Sequence, residues 1–145
     1  MLLTYGDIVS FLPDRIGYQD ESMAFYSIAT SCSLHQEKSL YIPIEDDEPD
    51  LKRALENGAI AALWPAEIEV PRYRPNHFPI FFTNDLLKGL EIMMNEYLTK
   101  LEKTEAVPTH ATKLLCSNIQ NGPAGLSELS NRLHTYLSQE GREEI

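Results

Sequence analysis

Two short apolar runs, Ser39-Leu40-Tyr41-Ile42-Pro43-Ile44 and Ala59-Ile60-Ala61-Ala62-Leu63-Trp64, flank an amphipathic segment that closes on Asn57-Gly58. No other feature of the chain constrains its fold as much. Leu51, Ala54 and Leu55 stand at i, i+3 and i+4, so a helix through them buries one stripe. Pro49 suits a first helical turn, where its missing N–H is no loss, and Asn57-Gly58 suits the end, where a positive φ is needed. Neither apolar run alternates with polar residues, so both read as strands covered on both faces. A strand-helix-strand unit of this kind is parallel. The expected fold class is α/β, a small mixed or parallel sheet with helices on both faces, followed by a C-terminal helical extension.

A chain of 145 residues is the length of one domain and can bury an ample core without disulfides. Its net charge of −10, with only 12 basic residues and those scattered, argues against nucleic acid and anionic membrane surfaces as partners. Cys32 and Cys116 have neither the spacing of a zinc site nor that of a redox pair, and they read as reduced thiols. The start of the chain lacks a basic segment before an apolar run, and no window is apolar enough to span a membrane. The expected location is cytoplasmic.

Thr4 can cap a short helix over 4–12 that buries Ile8, Val9, Phe11 and Leu12 and stops at Pro13. Residues 13–22 read as a loop and 24–30 as one strand, with the polar run 31–38 joining it to the central unit. Four of the nine prolines fall in 65–79, which reads as a surface excursion before the buried strand Ile80-Phe81-Phe82. The clearest helix spans 84–103. Thr83 or Asn84 caps it, and Leu86, Leu90, Met93, Tyr97 and Leu101 keep a helical beat that Leu87, Met94 and Leu98 widen. A polar hinge over 102–110, a helical segment over 111–119 and a final amphipathic helix over 126–139 complete the chain. Residues 1–103 form the expected α/β domain and 104–145 the extension. The last helix carries Leu126, Leu129, Leu133, Tyr136 and Leu137 on one side, so it must pack on its own domain or pair with a second copy as a homodimer.

Three phrases carry a family resemblance: Ser39-Leu40-Tyr41-Ile42-Pro43-Ile44, Ala54-Leu55-Glu56-Asn57-Gly58-Ala59-Ile60-Ala61-Ala62-Leu63, and Asn84-Asp85-Leu86-Leu87-Lys88-Gly89-Leu90. In this order and spacing, residues 28–101 resemble the N-terminal domain of the Mur ligases, ATP-dependent enzymes that add amino acids or dipeptides to UDP-muramic acid precursors of peptidoglycan. The resemblance implies a stand-alone copy of that domain. The ligases would continue with a Gly-Lys-Thr phosphate loop about ten residues past the long helix, whereas the 44 residues after Leu101 contain none. An enzyme is therefore not expected, and no cofactor is implied.

The resemblance also implies a site for a UDP-linked sugar or uridine nucleotide at Thr30, Ser31, Cys32 and Ser33. Here Ser31-Cys32-Ser33 stands in place of the family's Asp-Ser-Arg, and Glu45-Asp46-Asp47-Glu48 in place of its glycine-containing loop. Hydroxyls cannot reproduce a guanidinium fork, and four carboxylates repel a diphosphate. Two functional classes follow. One is a binding module for a UDP-sugar or related nucleotide with a regulatory role in peptidoglycan synthesis; the other is a protein-interaction or self-association module in which the pocket is vestigial.

The remaining chemistry in the sequence has plainer readings. Glu45, Asp46, Asp47, Glu48 and Asp50 lack calcium-loop spacing and read as a solvated turn favouring a helix N-terminus. His35, His77, His110 and His134 have no second ligand at i+3 or i+4, so no metal site is expected. Cys32 beside His35 is a weak nucleophile-base pattern, because near neighbours in a strand or loop seldom point at one another. Gly122-Pro123-Ala124-Gly125 reads as a turn between helices rather than an anion cradle.

Overall fold

The computed structural model describes residues 2–12, 14–17, 20–72, 78–103 and 112–115. Its centre is the expected unit: β5 (Ser39–Tyr41), α2 (Leu51–Glu56) and β6 (Ala59–Pro65), with β5 and β6 parallel. The chain is α/β. A six-stranded sheet runs in the order β2 (Arg15–Ile16), β7 (Ile80–Thr83), β6, β5, β4 (Ser27–Ala29), β8 (Lys113–Leu115). All its pairings are parallel except β2 with β7, so the sheet is mixed. A separate two-stranded ribbon joins β1 (Leu3–Thr4) to β3 (Ala24–Phe25) antiparallel.

Alternate side chains of the central strands go to opposite faces, and each face has its own core. On one side Ile28, Leu40, Ile42, Ala61, Leu63 and Phe81 pack under Leu90, Met93, Met94, Tyr97 and Leu98 of α3 (Leu86–Lys103), with Tyr5 and Ile8 of α1 (Tyr5–Val9) joining them. On the other side Tyr41, Ala62, Trp64 and Ile80 pack against Leu51 and Ala54 of α2. Both sheet faces are thus covered by helix, which is why the strands read as uninterrupted apolar runs.

Several boundaries differ from the sequence reading. The expected strand over 24–30 is two strands in different sheets, broken at the exposed Tyr26. The loop over 13–22 contains the edge strand β2, whose two residues are too few to show a period. Residues 113–115, expected in a helix, form β8, because Ile28 of β4 takes Leu114 as its parallel partner. Pro49 precedes α2 rather than opening it, and Asp50 is the cap, its side chain accepting from Arg53 N–H. At α3, Asp85 accepts from Lys88 N–H at 3.1 Å, so Asp85 does the capping expected of Thr83 or Asn84. Helix α1 keeps Thr4 as its cap, in a reciprocal box with Asp7, but ends at Val9. The expected helix over 126–139 and most of the hinge lie outside the described residues.

Candidate functional site

From β4 the sheet proceeds through β5, β6 and β7 in one direction, while β8 lies on the opposite side of β4. The winding therefore reverses at β4. In open parallel sheets the space outside the carboxyl ends of the strands at such a switch is where ligands bind. Residues 30–33 occupy that position, directly after β4.

Thr30 is fully buried. Its N–H donates to Leu115 O at 3.1 Å, its carbonyl accepts from Glu45 N–H at 3.0 Å, and its hydroxyl is within hydrogen-bonding reach of both the Glu45 carboxylate and the Leu115 carbonyl. It ties β8, β4 and the loop after β5 together. Ser31 and Cys32 are also buried, and only Ser33 is exposed. The Ser31 and Ser33 hydroxyls lie 3.0 Å apart.

The group on which these residues converge is Asp46, fifteen positions along the chain from Ser31. Ser31 Oγ donates to Asp46 Oδ1 at 2.9 Å, Cys32 N–H donates to Oδ2 at 2.9 Å, and the Tyr41 hydroxyl donates to the same Oδ2. The Tyr41 oxygen in turn accepts from Asp50 N–H at 3.3 Å. Burial, and then donation to Asp46, push the Tyr41 phenol well above its ordinary value, which keeps it a neutral donor. The acidic stretch read as a solvated turn is in part a set of internal acceptors: Glu45 and Asp46 are half-buried, and only Asp47, Glu48 and Asp50 are exposed.

A second layer holds the loop from beneath. Gln36, fully buried, donates through Nε2 to Ser31 O and Leu34 O at 3.0 Å each and accepts from Ser39 Oγ at 2.6 Å. Asn57 Nδ2 donates to Cys32 O at 2.8 Å, so the C-cap of α2 also fixes the site. Burial, and then the Asp46 carboxylate, raise the Cys32 thiol above its ordinary 9.0. A reactive cysteine needs the opposite shift. Among the described residues no group of three or more His, Cys, Asp and Glu side chains is arranged to hold a metal, and no helix is long and apolar enough to cross a membrane.

Sequence reasoning named Thr30, Ser31, Cys32 and Ser33, which the fold does bring to one edge, and missed Asp46, Tyr41, Gln36 and Asn57. Away from this edge, a concavity of about 120 Å³ is lined by residues of α1 and α3, among them Asp7, Tyr97 and Lys100. In its wall Lys100 Nζ is paired with Asp7 Oδ2 at 2.8 Å. No protein-family model, curated protein or solved structure matches the chain.

Proposed function

We propose that this is a non-catalytic, Mur-ligase N-terminal-like binding module that recognises a UDP-linked sugar or related nucleotide at the carboxyl edge of β4, in a cytoplasmic regulatory role connected with peptidoglycan precursors. The observation that carries the reading is positional. The polar segment Thr30–Ser33 follows the strand at which the sheet order reverses, where an open α/β sheet receives ligands. In this reading Ser31 and Ser33 supply hydroxyls and the loop supplies backbone groups. Ligation has no place in it, for want of a phosphate loop to hold ATP and magnesium.

A thermal-shift titration with uridine, UDP and UDP-amino sugars tests it. A ligand at 100 times its Kd stabilises the folded state by about 2.7 kcal/mol. A rise in Tm with at least one of the three, with chemical-shift changes at residues 30–33, is expected; flat melting curves with all three would remove the nucleotide.

One observation favours a second reading, a protein-interaction or self-association module with a vestigial pocket. The donors at the edge are already engaged by Asp46. In that case the apolar stripe of residues 126–139 is the working surface, and light scattering on the full chain should report a dimer. A monomer that also ignores uridine compounds leaves neither reading standing.

A further inference from the structure

The three donors around Asp46 come from two places in the sequence: the Ser31 hydroxyl and the adjacent Cys32 backbone N–H after β4, and the phenol of Tyr41 at the end of β5. Tyr41 is fully buried, and its hydroxyl is aimed at the carboxylate from within the core. Three neutral donors suit a group carrying about one negative charge. The group that satisfies them here belongs to the protein itself.

The two loops that meet at that carboxylate are also fixed by bonds that do not involve it. The loop after β5 is fixed by Ile42 N–H on Ala29 O at 2.8 Å and Glu45 N–H on Thr30 O at 3.0 Å. The loop after β4 is fixed by Gln36 on Ser31 O and Asn57 on Cys32 O. None of these bonds passes through Asp46. Its side chain is half-buried, on a loop whose next two residues, Asp47 and Glu48, are exposed, so it can turn outward while the donors stay in place.

We propose that Asp46 is a built-in competitor for the anionic group of the ligand: its carboxylate occupies the cradle of Ser31, Cys32 N–H and Tyr41, and a phosphate oxygen enters only by displacing it. This rests on the ligand-binding reading above and specifies how that site is held closed. The competition is set by charge, so it acts on the phosphate of a nucleotide and not on its nucleoside.

The test compares wild type with Asp46→Ala and Asp46→Asn by calorimetric titration with UDP, inorganic phosphate and uridine. Amide shifts and hydrogen exchange are followed in parallel. In Asp46→Ala the Cys32 amide should lose the low-field shift and protection of a carboxylate-bonded N–H; in Asp46→Asn the amide oxygen can still accept, so only the low-field shift should shrink. Affinity for UDP and phosphate should rise at least tenfold, and affinity for uridine should stay within twofold. Adding Tyr41→Phe to Asp46→Ala should take back part of the gain. Equal UDP affinity in wild type and variants overturns the competition and leaves the binding reading intact. A matching gain for uridine also overturns it, because Asp46 would then exclude by bulk. Failure of wild type and variants to bind any of the three compounds overturns the binding reading and this proposal together. Should Asp46→Ala not fold, Asp46→Asn decides alone: it removes the competing charge while keeping an acceptor, so a rise in UDP and phosphate affinity is expected and an unchanged affinity overturns the competition.

Discussion

The hydroxyl of Tyr97 accepts the backbone N–H of Thr112 at 2.8 Å, joining α3 to the residue immediately before β8. Both residues are about 1% exposed. The Thr112 hydroxyl extends the junction, accepting from Leu3 N–H at 2.8 Å and donating to Phe25 O at 2.7 Å. Four segments that are far apart in sequence, at Leu3, Phe25, Tyr97 and Thr112, thus meet at one buried polar knot, which places β8 beside β4.

Tyr97→Phe should cost about 1–3 kcal/mol, because it leaves the Thr112 N–H buried without its acceptor while preserving the ring's packing. Urea unfolding should show a lower midpoint at an unchanged slope. Loss of protection in the amides of 113–115 would place the damage at β8. An unchanged midpoint would mean that the bond contributes nothing to holding the strand.

Tyr5 presents the opposite case. Its ring is buried against Phe81, with centroids 5.0 Å apart and planes at 51°, yet its hydroxyl has no hydrogen-bond partner in the structure. A buried hydroxyl left unpaired carries a desolvation cost with no return. Tyr5→Phe should therefore be neutral or stabilising by up to about 1 kcal/mol, visible as an equal or higher Tm. A loss above about 1 kcal/mol would show that the oxygen is satisfied after all, by water or otherwise.

Asp7 sets an acid limb of stability. Burial by itself raises its pKa, but hydrogen bonds from Lys100 and from Thr4 outweigh that, and the net value lies below the ordinary 3.8. A carboxyl whose folded pKa is depressed adds stability above the unfolded pKa and loses it as pH falls through the folded one. The pair is partly exposed, 39% for Lys100 and 25% for Asp7, so Lys100→Met should cost only about 0.2–1 kcal/mol at pH 7. That gap should close as pH drops below the folded value. A gap of the same size in acid as at neutrality would trace the loss to packing of the lysine stem instead.

The parts of the fold legible in sequence were those whose cause is local. The Leu51, Ala54 and Leu55 stripe, closed by Gly58, specified α2, and the beat from Leu86 to Leu98 specified α3. What stayed hidden depends on a partner elsewhere. Leu114 and Leu115 carry no period of their own and become a strand only because Ile28 and Ala29 lie alongside. Ser31 and Cys32 were implied as site residues by the family resemblance, but their bond to Asp46 exists only once β4 and β5 are neighbours. The Asp50 cap was within reach: an aspartate immediately before the first apolar residue of a helix is a common start signal.

Gly58 connects the central unit to the candidate site. Its φ is +118°, and a Cβ placed there would stand 2.3 Å from the carbonyl oxygen of Gln36, which is backbone and cannot move aside cheaply. Gln36 N–H also donates to Asn57 O at 2.8 Å, so any shift at 57–58 reaches the residue supporting Ser31. Gly58→Ala should lower stability by about 1–3 kcal/mol, combining a left-handed backbone with a steric clash. The structural consequence should be local. Amides of 31–36 should lose protection before the rest of the sheet, because the Gln36 bonds to Ser31 O and Leu34 O are the ones the displaced backbone disturbs. Native protection across 31–36 together with a midpoint lowered by the full amount would confine the strain to the α2–β6 turn, and the claim that this turn braces the β4 edge would fall.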